Sequence, residues 1–165
     1  MKNEIWFYVK YGILIVLLLS IQSTSFLSIF DIAPDLILIL TLIHNLYFGG
    51  YKGMFFGFFM GIAVDSMSGI PLGLNSFVLT FISWFLDFYR KYIFVSDIFS
   101  FSLFIIIATI MKYALYILFY WIFRIEILGW YLLLKLAGEI FYNVIIGIPM
   151  FFLLPYIFRK RSTLI

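Results

Sequence analysis

Apolar residues fill this chain in long runs, with no regular alternation of polar and apolar positions. Segments such as Ile13–Leu19 and Phe101–Ile107 are apolar almost all round. A transmembrane barrel strand alternates with a period of two, so the pattern predicts helices, each of which satisfies its own backbone hydrogen bonds in lipid. Short polar or glycine-rich breaks delimit six predicted spans: Tyr11–Phe30, Pro34–Phe48, Gly53–Gly69, Leu72–Phe88, Asp97–Phe123 and Leu136–Phe158. One helix crosses the hydrocarbon in roughly 20 residues, so a chain of 165 residues is accounted for by these spans and short loops. The expected fold class is all-α: a polytopic membrane protein, with residues 1–165 forming one integral membrane domain.

The breaks carry their own chemistry. Span one turns polar at Gln22-Ser-Thr-Ser25, and Asp31-Ile-Ala-Pro34-Asp35 restarts the chain. Pro34 suits the first turn of a helix, where its missing N–H costs nothing. Asp31 and Asp35 complement the positive end of the helix dipole there. Gly49-Gly50-Tyr51-Lys52 reads as a tight turn, and Ile70-Pro71-Leu72-Gly73 separates spans three and four. Arg124, Glu126, Trp130 and Lys135 are assigned to a short loop before the last span.

Composition reinforces the pattern. The chain is 65% hydrophobic and only 12% charged, where a soluble domain carries about 25% charged residues. The bilayer must therefore act as part of the solvent. No cysteine is present, which excludes disulfides and thiolate metal sites. A net charge of +3 is too small to suggest nucleic-acid binding. Lys2 and Lys10 before an apolar run, with Ser23 and Ser25 beyond it, mimic a signal peptide. Hydrophobic spans continue through the whole chain, which favours an uncleaved first span.

Basic residues set the orientation. With a cytoplasmic N-terminus, Lys2, Lys10, Lys52, Arg90, Lys91, Arg159, Lys160 and Arg161 all fall inside, and Arg124 and Lys135 fall outside. The bias requires an even number of spans and predicts a multi-pass membrane protein with both termini cytoplasmic.

Three polar features interrupt the apolar background. Gly49, Gly53, Gly57 and Gly61 recur every four residues, and Asp65, Gly69 and Gly73 continue the count. Such spacing lets helix backbones approach closely, and each step drifts about 40° around the helix. The ladder serves either packing within the bundle or docking of another membrane protein. Second, Asp65 lies about 18 Å into span three and opens the segment Asp65-Ser-Met-Ser68-Gly69-Ile-Pro71-Leu-Gly73-Leu-Asn75. An intramembrane carboxylate is expensive unless paired or hydrated, and the broken backbone after it must be buried in protein or face water. Asp65 reads as a carboxylate capping the re-entering chain or as a functional group. Third, Lys112 lies in span five at a similar depth, and Glu139 enters from the outer side in span six. Lys112 is expected to pair with Asp65 or Glu139, since a lone ammonium at that depth is costly. It could also snorkel outward.

His44 stands alone and is expected to be hydrogen-bonded within the bundle, and Asp87 is expected to pair locally with Arg90 and Lys91. No metalloprotease, serine-hydrolase or phosphate-loop motif is present. Neither an enzymatic activity nor a cofactor is expected.

The string Pro34-Asp35-Leu36, followed by Gly53, Gly57, Gly61 and Asp65-Ser-Met-Ser-Gly-Ile-Pro-Leu-Gly-Leu-Asn75, resembles the bacterial rod shape-determining MreD family. The two motifs cover about 40 residues, and the Asp-x-x-Ser-Gly-x-Pro-x-Gly element is the more specific part. The resemblance implies a six-helix fold like that of energy-coupling-factor S components. It also implies a non-enzymatic role in cell elongation and lateral peptidoglycan synthesis. The implied partners are the bitopic protein MreC and, indirectly, MreB filaments and the peptidoglycan synthases. The alternative is the S component of a vitamin transporter. Such proteins typically carry an Ala-x-x-x-Ala surface on their first helix, and span one here contains no alanine.

Overall fold

The computed structural model describes residues 2–24, 26–69, 71–90, 98–124 and 129–158, and it is all-helical. Six helices follow one another: α1 (Lys2–Ser23), α2 (Leu36–Phe48), α3 (Gly50–Ser68), α4 (Leu74–Arg90), α5 (Ile98–Ile122) and α6 (Gly129–Phe158). No strand occurs among the described residues, only an isolated bridge between Ile29 and Ile32. The expected roles of Lys91, Asp97, Glu126 and the basic run Arg159–Arg161 fall outside the described residues.

α2 is the hub, and α1, α3, α4, α5 and α6 all pack on it. Leu36 to Ile43 and Asn45 are buried on it. A helix apolar all round belongs in the middle of its neighbours. The Asp35 side chain starts α2 by accepting from Leu38 N–H at 2.9 Å, and Gly49 ends it by donating its N–H to Asn45 O at 2.8 Å. Gly49 and Gly50 have φ of 54° and 52°, left-handed values that turn α2 directly into α3 and that glycine adopts without strain. With 13 residues α2 is about 20 Å long, well short of a hydrocarbon core of about 30 Å.

α3 and α4 form the tightest pair, and they do so through glycine. The buried positions of α3 are Gly53, Gly57, Gly61 and Asp65. A Cβ on Gly57 would sit 2.8 Å from Leu79 O, and one on Gly61 would fall on the Ser76 backbone. One on Gly53 would overlap the Asn45 side chain of α2. The ladder thus faces the molecule's own α4 and α2, and Gly49 forms the α2–α3 turn.

Some boundaries differ from the sequence expectation. α1 runs Lys2–Ser23 instead of Tyr11–Phe30, because the polar run from Gln22 ends it. The Thr24 hydroxyl donates back to Ser20 O and Ile21 O, and a tight turn follows at Phe30 and Asp31. α6 starts at Gly129 instead of Leu136, so Trp130 and Lys135 are helical and not in a loop.

Beside its apolar core the molecule buries charges and exposes large apolar side chains, unlike a soluble protein. Asp35, Asn45, Asp65, Asn75, Lys112, Glu139 and Asn143 are buried. Trp6, Ile13, Phe55, Phe59, Ile117, Trp121 and Phe141 are exposed. Such an apolar exterior suits lipid. Two helical stretches, Ile98–Ile122 and Gly129–Leu153, are long and apolar enough to cross a membrane.

Candidate functional site

Three charged side chains meet where α2 begins. Asp35 is held there as the α2 N-cap, Lys112 comes from the middle of α5, and Glu139 comes from α6. Lys112 Nζ donates to Asp35 Oδ2 at 2.7 Å and also to Glu139 Oε1. All three are buried, Lys112 at 8% exposure and Glu139 at 7%. Sinking charges this far costs several kcal/mol per ion unless partners restore the lost hydration.

Neutral groups complete that restoration. Tyr113 donates its hydroxyl to Glu139 Oε2 at 2.7 Å. Gln22, from the end of α1, donates to Asp35 Oδ1 and accepts from Ile37 N–H, both at 3.1 Å. Asn143, one turn beyond Glu139, accepts from the Asp35 N–H at 2.7 Å and donates to Thr109 at 3.1 Å. The Lys112 ammonium also lies 5.7 Å from the ring centroids of both Tyr113 and Tyr116. Four helices, α1, α2, α5 and α6, are thereby tied to one point.

Asp65 belongs to a second network. Its carboxylate accepts from Gly73 N–H at 2.8 Å, Asn75 N–H at 3.0 Å, Asn75 Nδ2 at 2.8 Å and Ser76 N–H at 3.3 Å. These are donors at the start of α4, which a helix cannot satisfy internally. An anion there also meets the positive end of the dipole. Of the two partners expected for Lys112, Glu139 is found and Asp65 is not. Asp35 takes that place, because backbone amides already saturate Asp65. The two networks meet at Tyr116, whose hydroxyl donates to Asn75 Oδ1 while its ring flanks Lys112.

Capping in the α3–α4 pair is reciprocal. Asp87, near the end of α4, accepts from Gly50 N–H at the start of α3 at 2.6 Å. The local pairing expected for Asp87 with Arg90 and Lys91 rests on side chains outside the described residues. His44 accepts or donates through Nδ1 to the Tyr11 hydroxyl at 2.7 Å and stacks on Phe56, so it is an interior histidine.

Pro34 is buried directly before the Asp35 cap, while Ser68, Gly69, Pro71 and Gly73 are exposed at the α3–α4 turn. Gly69 and Gly73 have φ of 65° and 104°, which reverse the chain there. Ser68 lines a cavity of about 490 Å³. The cavity lies at the N-terminal end of α2, where the short central helix stops and its longer neighbours continue. Lys112, Asp35 and Glu139 line it, and so does Lys135. Gln22, Tyr113, Tyr116 and Asn143 were not singled out from sequence. A trace existed: Lys135, Glu139, Asn143 and Gly147 repeat every four residues along α6. No cluster of three or more potential metal ligands occurs among the described residues.

Each network is centred on one motif carboxylate, Asp35 of Pro34-Asp35-Leu36 in the first and Asp65 of the Asp65 to Asn75 segment in the second. A family model described as rod shape-determining protein MreD matches residues 2–161. The chain belongs to the MreD family. Membership assigns it to the membrane proteins of rod-shape determination, associated in general with the cell-shape machinery of MreB and MreC. No curated protein and no solved structure matches it significantly.

Proposed function

We propose that this chain crosses the inner membrane six times, with both termini cytoplasmic, as one integral domain. In this reading it acts without catalysis, as a scaffold of the cell-elongation machinery. It holds an MreC-like bitopic protein in the membrane and so connects MreB-like filaments with the peptidoglycan synthases. The observation that carries the reading is the family match together with the buried charges and the exposed apolar side chains. The buried charged and amide groups are largely spent on one another, and the surface offers apolar helix faces to lipid and to other helices. A network committed to internal pairing supports a holder of fixed shape better than a reaction centre.

Two experiments test it. The chain has no cysteine, so single introduced cysteines report topology cleanly. Ser68→Cys is expected to react with an impermeant maleimide from outside intact cells, and Lys52→Cys only after permeabilisation. The reverse labelling sinks the orientation. Depletion of the protein is expected to round the cells, and detergent extraction to recover a bitopic partner. Normal rods together with tight retention of a vitamin would instead favour the transporter S component.

A further inference from the structure

The cavity at the N-terminal end of α2 is larger than its internal network needs. Its volume of about 490 Å³ lies within the range of small-ligand sites, roughly 300–1,000 Å³. Three carboxylates, Asp31, Asp35 and Glu139, line it against two ammoniums, Lys112 and Lys135. The two ammoniums are not fully used. Lys112 has three hydrogens and two described carboxylate acceptors, and the Lys135 ammonium lies 4.7 Å from the centroid of the Tyr131 ring. The walls thus ask for a hydrogen-bonding cation beside the carboxylates and for an anionic oxygen beside the ammoniums.

The mouth points the same way. Asp31 sits at φ 62° beside Phe30 at φ 52°, two successive left-handed non-glycine residues in the turn that Ile29 and Ile32 close with paired 3.0 Å hydrogen bonds. Such backbone is strained, and it persists here with help from Ile32, which lies so close to Gly138 of α6 that a Cβ there would collide with it. The turn places the Asp31 carboxylate at the cavity and leaves Phe30 94% exposed and Phe26 81% exposed beside it. Exposed phenylalanines on this turn suit contact with lipid.

We infer that this cavity binds a compact zwitterion, a primary ammonium separated by a few bonds from a phosphate or carboxylate. An aminophospholipid headgroup and a free amino-phosphate share that chemistry. The ammonium lies toward Asp31 and the anionic group toward Lys135, the cavity-lining charges outside the buried ion network. The site is independent of the scaffold role. Only the side of the membrane from which the ligand arrives rests on the topology proposed above.

The test uses the full chain, purified and delipidated in detergent, with binding read by native mass spectrometry and thermal shift. The probes are short-chain phosphatidylethanolamine, the matching phosphatidylglycerol without an ammonium, the matching phosphatidylcholine without N–H donors, and free ethanolamine phosphate. Phosphatidylethanolamine is expected to bind at least about tenfold more tightly than the glycerol and choline lipids, the ratio expected from losing one hydrogen bond to a charged group. Ethanolamine phosphate binding as tightly as the lipid identifies a soluble ligand, and much weaker binding identifies the lipid. Two variants keep the result independent of folding, since neither residue belongs to the ion network. Asp31→Asn keeps a residue tolerant of left-handed backbone and is expected to weaken binding about tenfold. Ser68→Trp, at an exposed rim position, is expected to block the cavity with little change in the melting temperature of the ligand-free protein. Equal binding of all three lipids, no binding of any probe, or unchanged affinity in Ser68→Trp overturns the inference.

Discussion

The α3–α4 pair and the junction of α2, α5 and α6 bury polar groups by opposite means. In the hairpin, carboxylates meet backbone amides close in sequence: Asp65 binds the N–H groups of Gly73, Asn75 and Ser76. Glycine brings the two helices together, with no side chain between Gly57 and the Leu79 carbonyl. At the junction the partners are far apart in sequence, as with Lys112 and Asp35 or Asp35 and Asn143. There the contacts are charge on charge, and a cavity opens beside them. The contrast teaches that a chain of this composition can build a rigid unit from local caps and small residues. It can also build a joint between units from a few long-range ion pairs.

The largest expected effect breaks the joint. Lys112→Met leaves Asp35 and Glu139 buried without their cation, and it should cost about 3–5 kcal/mol. Thermal unfolding in detergent measures this. Adding Asp35→Asn and Glu139→Gln removes the uncompensated charge, and more than half of the loss should return. A triple variant as unstable as the single one would mean that the ion pairing is not what holds the joint.

Breaking the hairpin should cost less. Gly61→Val places side-chain atoms on the Ser76 backbone, and overpacking of this kind costs about 2–3 kcal/mol. Gly57→Leu acts on the same seam. Loss of a partner in that variant should therefore be accompanied by a lower melting temperature, whereas a docking seam would lose the partner at an unchanged one. Asp65→Ala removes the cap of α4 and should cost about 2 kcal/mol, read as lower thermal stability. It should also speed amide hydrogen exchange at Gly73 to Ser76 and leave Leu38 of the joint protected. The smallest effect is at Gly12, where a Cβ meets nothing within 4 Å. Gly12→Ala should stabilise α1 by roughly 0.5–1 kcal/mol, visible as a small rise in melting temperature.

Legibility followed the same divide. The Asp65 to Asn75 turn was readable as a cap and a break because its partners lie 8 to 11 residues along the chain. The turn at Gly49-Gly50 was readable for the same reason, whereas Pro34 and Asp35, expected inside the first turn, precede and cap α2. The depth of Lys112 was readable too, since helical rise converts residue number into distance along the axis. Of its partners, Glu139 was among the two expected and Asp35 was not. Asp65 and Glu139 both lay at suitable depths, and Asp35 had been assigned to a dipole contact. Choosing among them required knowing which helices are neighbours and which way each one is rotated.

The sequence by itself determined the helical class, the apolar exterior, the places where the chain breaks and the residues that mark the family, because these depend on composition and on contacts a few residues apart. Tertiary structure alone decided that the glycine ladder faces α4 and α2, that Asp87 caps α3, that Lys112 joins Asp35 to Glu139, and that a cavity opens where α2 stops. Each of those depends on the lateral order and rotation of helices. Hydropathy leaves that order open, because in a bilayer an apolar face suits lipid as well as it suits another helix.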